Sequence, residues 1–356
     1  RKKHFLFASV LALLCGSSTL HAQDFKLTSS GYFKNQGVDV MAFDDIYPEG
    51  HQGGVCIIMN GHRVATNGDI RLEATPGQWQ PVPKQLDRKL GDNSITATLC
   101  YPDSSRHLTG FNPMIYPDLH LIYTVNVESK GKNIEVTVDL DRPIPQEFIG
   151  KVGFNLEFFP GSLFGKPWIM DGQSGIFPQQ PNSPLMTTQP NYLHTGNYHD
   201  GKKSLADMDK LIGKGYSPIV ADDIISEPYA KGTKFTSRPD DPYNKVTIES
   251  LSGDLQLFDG RMNHNNGWFV LRSNIKPGVT KGAVKWIITP NVVADWMYQP
   301  VIQTSQIGYH PTQDKEAVIE MDIRDNRKET AQIIRIDADG EKVVKNVTPA
   351  NWGKFL

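Results

Sequence analysis

The chain has 356 residues, of which 38% are hydrophobic and 21% are charged, and it carries 37 basic against 39 acidic side chains. This composition is typical of a globular protein and excludes a disordered one. A formal net charge of −2 leaves no basic surplus to neutralise a phosphate backbone, so nucleic acid is not expected as a partner. The length suggests two domains, or one large β domain with an appendage.

The amino terminus has the pattern of a secretory signal peptide. An apolar run over residues 5–14 is too short to span a bilayer, and it lies between three basic residues and the small-residue pattern Leu20-His21-Ala22. We therefore predict a signal peptide over residues 1–22 and a secreted, periplasmic or cell-surface protein without a transmembrane span. Its removal would leave 34 basic against 39 acidic residues, a net charge of −5.

The cysteines leave two alternatives open. Cys15 in the leader offers a lipid anchor, but Leu14 precedes it where a lipoprotein signal has a small residue, so we favour a leader without a lipid. Cys56 and Cys100 each lie in an apolar, strand-like run. In an oxidising compartment they could pair as a disulfide, and a buried thiol is equally natural at both positions.

A period of two dominates the sequence from residue 24 onward and predicts an all-β protein. Apolar residues alternate from Leu119 to Val127 and from Ile134 to Leu140 around a Ser-Lys-Gly-Lys loop, which predicts a β-hairpin. Many antiparallel strands of this kind predict a large β-sandwich or a pair of packed sheets. The other predicted strands are Val55 to Met59, Ile95 to Tyr101, Val152 to Phe158, Val246 to Glu249, Leu255 to Phe258, Trp268 to Arg272 and Val284 to Ile288.

Two segments depart from this pattern. Residues 202–212 place apolar side chains at helical spacing before Gly213, which predicts a short surface helix. Residues 177–200 are rich in Pro, Gln, Asn and Thr, which predicts a long excursion from the sheet. Long ordered loops of this kind often carry binding functions.

A domain boundary is predicted near Pro300. Strand patterns resume at residues 317–321 and 331–336, and the latter runs into the turn sequence Asp337-Ala338-Asp339-Gly340. We therefore assign residues 23–300 to a β-sandwich domain and residues 301–356 to the beginning of an immunoglobulin-like β-sandwich. We expect this second domain to be incomplete, because such a module needs about 100 residues.

Candidate catalytic groups are few. Paired aspartates occur at residues 44–45, 222–223 and 240–241 and could act in general acid/base catalysis. Because neighbouring residues on a strand point to opposite faces, we favour a structural role for them in turns or at strand ends. His194 and His199 have no familiar metal-ligand spacing, and the surroundings of Ser174 lack the second glycine of a nucleophile elbow. We therefore predict no catalytic residue, no metal site and no cofactor in this chain.

Aromatic side chains in loop contexts are the candidate carbohydrate contacts. Trp79 and Trp168 could stack on a sugar face, although burial by packing is the more common state of large aromatic side chains. The polar stretch from Met262 to Trp268 could face a ligand, and we favour a structural turn because Asn side chains readily close turns.

A motif after Pro300 resembles a known family. The segment 306–311 and the strand pattern that follows it resemble the opening strand of the immunoglobulin-like module of family 9 glycoside hydrolases, the cellulase-type group. The region upstream, including residues 63–70 and 262–268, resembles the long amino-terminal extension of some secreted members. The motif residues, to which we assign a structural role, are Gln306, Gly308, Tyr309, Pro311 and Lys315.

The resemblance implies an inverting glycosidase or endoglucanase that acts on plant β-glucans. Its catalytic aspartate and glutamate would belong to an α-helical barrel beyond residue 356, on which this region would pack. The family's Asp-Ala-Gly-Asp motif is absent from the sequence, so no catalytic residue is carried over. A glycan-binding protein that never had a barrel, or a structural spacer, remain alternatives.

Overall fold

The computed structural model describes residues 24–44, 53–73, 76, 83–101, 119–181, 227–262, 267–327 and 330–353. Nearly all regular structure in these ranges is β-strand, as the sequence predicted. The first eleven strands are β1 (Lys26–Leu27), β2 (Phe33–Asn35), β3 (Val38–Ala42), β4 (Val55–Met59), β5 (His62–Leu72), β6 (Lys84–Leu90), β7 (Ser94–Cys100), β8 (Ile122–Lys130), β9 (Asn133–Leu140), β10 (Val152–Phe158) and β11 (Pro167–Met170).

Eleven further strands complete the described structure: β12 (Gln173–Ile176), β13 (Ala230–Gly232), β14 (Lys234–Ser237), β15 (Val246–Ser250), β16 (Leu255–Asp259), β17 (Phe269–Asn274), β18 (Val284–Pro290), β19 (Val301–Gln303), β20 (Val318–Glu320), β21 (Ala331–Asp337) and β22 (Gly340–Val347). One-turn 3-10 helices occur at Gln146–Phe148, Pro160–Ser162 and Gly260–Met262. The helix predicted over residues 202–212 lies outside the described residues.

Strands β1 to β18 form two nine-stranded sheets, and we call this part of the chain the large domain. The first sheet has the order β1-β2-β3-β4-β5-β10-β17-β16-β13, and the second has the order β12-β11-β14-β15-β18-β9-β8-β7-β6. Every strand pair in them is antiparallel, including the predicted hairpin, in which Lys130 of β8 pairs with Asn133 of β9. The prediction of an antiparallel all-β fold is therefore confirmed.

The apolar core lies between the two sheets. Phe154 of β10 meets Trp286 of β18 edge to face, with ring centroids 4.9 Å apart, and the Trp286 Nε1 donates to Ser273 Oγ on β17 over 3.0 Å. Phe158 and Phe235 form a second such pair at 5.8 Å. These side chains come from alternate positions of strands on both sheets, which is why the period-two pattern located the strands.

Two glycines allow the residue before β4 to approach the interior of β5 closely. Gly54 has φ +59°, and a Cβ on it would lie 2.6 Å from the carbonyl oxygen of Gly68. A Cβ on Gly68 would lie 2.6 Å from the Cβ of Val55. The β4–β5 register shifts beside this contact, so the segment 63–70 belongs to a bulged strand.

The outermost strands of the two sheets differ in length and charge. In the first sheet they are β1 and β13, which have two and three residues. In the second sheet they are β6, whose sequence KQLDRKL is charged, and β12, whose sequence QSGI is uncharged.

After Val301 the described strands pair only in twos. β19 pairs with β20, and β21 pairs with β22 across the predicted turn, where Asp337 faces Gly340. The described residues in this region leave many apolar side chains exposed, including Ile307, Ile323 and Ile336. The assignment of residues 301–356 to an immunoglobulin-like module stays a prediction.

The two cysteines of the large domain are not bonded to each other. Cys56 lies on the first sheet, where its Sγ is 3.2 Å from Gly53 O and 3.0 Å from Thr66 Oγ1, whereas Cys100 lies on the second sheet. Cys15 lies outside the described residues.

Candidate functional site

Charged and amide side chains are buried on three neighbouring strands of the first sheet. Along β5, β10 and β17 these polar residues alternate with apolar residues of the core. The register aligns Asp69, Asn155 and Arg272 in one row across the sheet. Each side chain in this group belongs to a residue that is at most 2% exposed. We call six residues the buried charged cluster: Asp69, Arg71, Glu73, Asn155, Glu157 and Arg272.

Arg272 connects the three strands. Its Nη1 lies 3.2 Å from Asn155 Oδ1 and 3.5 Å from Glu73 Oε1, and its Nη2 donates to the Glu73 carbonyl oxygen over 3.0 Å. Its Nε donates to Asn274 Oδ1 over 2.7 Å. A Cβ on Gly153 would lie 2.7 Å from that Nε, so the absence of a side chain there makes room for the guanidinium.

Glu73 is the least satisfied carboxyl group of the cluster. Its Oε1 accepts from Asn155 Nδ2 over 2.5 Å, while its buried Oε2 has no hydrogen-bond partner in the part of the chain that the structure describes. Burial raises the pKa of Glu73 to about 7, although the Arg272 guanidinium acts in the opposite direction. Glu73 is therefore protonated over part of the neutral pH range.

Asp69 lies where the register between β5 and β10 shifts, and there it meets residues of the second sheet. Its Oδ1 accepts from Tyr123 Oη over 3.0 Å and from the Ile70 amide over 2.7 Å. Tyr101 Oη donates to the Ile70 carbonyl oxygen over 2.9 Å. Burial raises the pKa of Asp69 to about 7, and burial followed by the nearby Asp69 raises the pKa of both tyrosines well above the usual value.

Arg71 and Glu157 supply the remaining charges of the cluster. Glu157 Oε2 accepts from Asn67 Nδ2 over 2.5 Å. Burial by itself lowers the pKa of Arg71, but the nearby Glu157 and Asp69 carboxylates outweigh it and the pKa is raised. Arg71 is therefore held in its charged form by the acidic groups around it.

The cluster has the chemistry of an internal ion network. It combines three carboxyl groups with two guanidinium groups, and a buried charge is tolerated only when such partners and hydrogen bonds compensate it. Hydrolysis of a glycosidic bond requires two carboxyl groups that reach the sugar. Because every member is buried, the cluster does not offer a polysaccharide such a pair.

A second buried ion pair fastens a connecting segment to the first sheet. Arg261 makes a two-pronged contact with Asp259, at 2.9 Å and 2.8 Å, and donates to the carbonyl oxygens of Pro178 and Gln179. Tyr229 Oη donates to Asp259 Oδ2 over 3.1 Å. The donors of the Arg261 guanidinium are thus used to hold the chain after β12, so Arg261 has a structural role.

The two candidate carbohydrate contacts fall in different parts of the chain. Trp168 lies on β11 and is 7% exposed. A Cβ on Gly175 of β12 would lie 2.5 Å from its Cζ2, so the indole is packed against the neighbouring strand. Little of the ring is left for a sugar face. Trp79 lies outside the described residues, and the assignment of both residues as carbohydrate contacts stays a prediction.

Two of the motif residues after Pro300, Tyr309 and Lys315, form hydrogen bonds within one turn. Lys315 Nζ lies 3.4 Å, 3.2 Å and 2.9 Å from the carbonyl oxygens of His310, Pro311 and Gln313. Tyr309 Oη donates to the Glu316 carbonyl oxygen. Two further motif residues are exposed: Gln306, and Gly308 with φ +80°.

The other candidate groups give no catalytic arrangement. Asp241 accepts from the Tyr243 amide, from Asn244 Nδ2 and from Arg238, which is the turn role predicted for it. Across the described ranges, no group of three or more His, Cys, Asp and Glu residues has metal-binding geometry. His194, His199 and residues 222–223 lie outside those ranges.

No described helix is long and apolar enough to cross a membrane.

The sequence did not single out the buried charged cluster. On a strand, polar residues that alternate with apolar ones ordinarily face water. The burial of this cluster follows from the position of its strands in the sheet. β10 lies between β5 and β17 in the middle of a nine-stranded sheet, and all seven of its residues are buried. Recognising that position requires the strand order, which the sequence alone does not provide.

Comparisons with known proteins leave the family undetermined. No family model and no curated protein matches the chain. Among solved structures, the Slr1438 protein from Synechocystis sp. PCC 6803 is similar over 75% of this chain and 96% of its own, with 9% sequence identity and a TM-score of 0.34. A galactose mutarotase related enzyme from Lactobacillus acidophilus is similar over 72% of this chain and 96% of its own, with 9% identity and a TM-score of 0.35. Similarities of this size carry no argument about function.

Proposed function

We propose that this chain is the amino-terminal, non-catalytic region of a secreted, inverting glycoside hydrolase of family 9 type that acts on plant β-glucans. The catalytic barrel would be encoded beyond residue 356. The observation that carries the proposal is the motif from Gln306 to Lys315, which follows the large β-sandwich directly and resembles the start of that family's immunoglobulin-like module.

The contacts of the motif support a structural role for it. Lys315 and Tyr309 use their polar atoms on backbone carbonyl oxygens of the same turn, so neither is directed at a ligand.

The carboxyl groups of the buried charged cluster are not candidates for an inverting catalytic pair. Asp69, Glu73 and Glu157 are its carboxyl groups, and all three are at most 2% exposed. An inverting site needs one carboxyl group to protonate the leaving oxygen and another to activate water, with room for the sugar between them.

A hydrolysis assay tests the non-catalytic part of the proposal. Purified protein comprising residues 23–356 is incubated with a β-1,4-glucan, and released reducing sugar is compared with a buffer blank. We expect no release above the blank. Release that a single Asp or Glu substitution abolishes would contradict the proposal.

Gene sequence and glycan titration test the remaining part. Sequencing past the codon for Leu356 should show an open frame that continues into a helical barrel with Asp-Ala-Gly-Asp and a later glutamate. A stop codon at that point would overturn the proposal. Titration with millimolar cello-oligosaccharides should then show no binding, whereas saturable binding together with the stop codon would establish a glycan-binding protein.

A further inference from the structure

The segment that leaves the large domain packs on two tight turns of the first sheet. Trp296 and Tyr298 lie just before Pro300, and their rings meet edge to face with centroids 4.4 Å apart. Gly37, in the turn between β2 and β3, and Gly61, in the turn between β4 and β5, lie beneath them. We call these two rings and two glycines the aromatic clamp.

Gly37 supports the ring of Trp296. Its φ is +65°, and a Cβ at this position would lie 2.7 Å from Trp296 Cε3 and 2.6 Å from Asn60 Oδ1. The neighbouring Gln36 donates from Nε2 to the Trp296 carbonyl oxygen over 2.9 Å. The turn therefore holds both the ring and the backbone of the segment that leaves the domain.

Gly61 supports the ring of Tyr298 in the same way. Its φ is +82°, and a Cβ there would lie 2.9 Å from Tyr298 Cε1. A side chain at either glycine would displace the ring above it, and the positive φ disfavours a side chain in any case. The two turns thus present two flat backbone surfaces, one for each ring.

Residues after Val301 also form hydrogen bonds with this segment. Arg324 Nη2 donates to the Trp296 carbonyl oxygen, the atom that also accepts from Gln36. Asp322 Oδ2 accepts from the Tyr298 amide over 3.1 Å, and Asp322 also pairs with Arg324 at 3.2 Å. One carbonyl oxygen is therefore shared between the large domain and the region that follows it.

We propose that the aromatic clamp is an intramolecular docking surface that fixes residues 301–327 in one orientation relative to the large domain. The clamp replaces a flexible linker by a rigid connection, because the connecting residues are bound on both sides. This inference stands independently of the proposed function: it concerns the connection between two described regions and holds whether or not a catalytic domain follows.

Distance measurements between spin labels test the clamp. The labels are placed at Lys281→Cys on the large domain and Asp314→Cys in the turn before β20, both exposed, in a Cys100→Ser background. The parent protein should give one narrow distance distribution. In the Trp296→Ala/Tyr298→Ala double variant we expect the distribution to broaden about twofold, as for a flexibly linked pair.

A matched control and a milder variant separate loss of the clamp from loss of folding. Tyr243→Ala/Trp352→Ala removes two exposed aromatic side chains outside the clamp and should leave the distribution narrow. Arg324→Gln leaves both rings in place and should broaden the distribution to a lesser extent, with an unchanged circular dichroism spectrum. An unchanged distribution in the double variant, or equal broadening in the control, would overturn the proposal.

Discussion

The large domain and the region after Val301 use similar strand sequences to different effect. On β10, Phe154 lies at the centre of the core, against Trp286 of the facing sheet. On β21, Ile336 comes from an equally apolar strand and is 76% exposed. The difference is a facing sheet, which β10 has and which no described residue provides for β21.

Ion pairs of the two regions show the same difference in burial. Arg272 and Glu73 pair while almost completely buried, whereas Arg335 and Asp337 pair at 3.2 Å on the surface. A buried pair depends on each of its partners, and an exposed pair is largely replaced by water. The same type of substitution can therefore be made at a buried site of the large domain and at an exposed site after Val301, and the two effects on stability can be compared.

The largest expected effect is the loss of a core ring. Phe154→Ala should lower the free energy of unfolding by about 3–5 kcal/mol, because it removes a large buried side chain and leaves a cavity. Ile336→Ala, its counterpart in the second region, should change it by less than about 0.5 kcal/mol. Urea unfolding followed by far-ultraviolet circular dichroism measures both, and similar losses in the two variants would show that β21 is covered after all.

The next effect is the loss of a buried cation. Arg272→Gln should lower the free energy of unfolding by about 3 kcal/mol, because it leaves Glu73 without its guanidinium partner. The matched change Arg335→Gln should cost less than about 1 kcal/mol. Raising the salt concentration in the same urea experiment should weaken the exposed pair and leave the buried one. If Arg272→Gln left the free energy of unfolding unchanged, the role of Arg272 as the link between three strands would be contradicted.

The pH dependence of stability should come from Asp69 and Glu73. Their pKa values are raised to about 7 in the folded protein, while in the unfolded chain they titrate near the ordinary carboxyl value of about 4. Between these limits the folded state binds more protons than the unfolded state, so the free energy of unfolding decreases as pH rises from about 4 to about 7.

The variant Glu73→Gln isolates one of these two groups. Because glutamine cannot ionise, the decrease in stability between about pH 4 and pH 7 should become shallower in this variant. Urea unfolding at a series of pH values measures the slope. Glu320→Gln, a change of the same kind at an exposed position after Val301, should leave the slope unaltered. An equal slope in the parent and in Glu73→Gln would contradict the assignment.

The smallest effect is expected at the motif turn. Lys315→Met removes the ammonium group that three carbonyl oxygens share, and the exposed position limits the cost to about 1 kcal/mol. We expect faster protease cleavage between Ser305 and Glu316 with no change in the large domain. Lys345→Met, an exposed lysine on β22, is the matched control and should leave cleavage at the turn unchanged.

The strands of the core could be predicted from the sequence because their apolar residues form short continuous runs or alternate with polar residues. The predicted bounds of Val55 to Met59 and Val152 to Phe158 are those observed. In contrast, β5 carries Thr66, Asn67 and Gly68 in succession, and its bulge breaks the alternation on which the prediction depends. Local pattern therefore located regular strands and missed an irregular one.

The candidate site could not be predicted, because its burial depends on distant strands. Asp69, Asn155 and Arg272 are far apart in sequence and become neighbours only through the order of β5, β10 and β17. The same polar alternation on a one-sided sheet would face water. Clustering and burial are both properties of the assembled sheet.

The edges of the second sheet differ in their risk of pairing with another chain. β6 presents Lys84, Asp87, Arg88 and Lys89 along its length, and charged edges resist the addition of a foreign strand. β12 has no charged residue and leaves Ile176 largely exposed. If concentrated protein self-associates through its sheets, we expect the aggregate to grow from β12, and a lysine in place of Ile176 to suppress it.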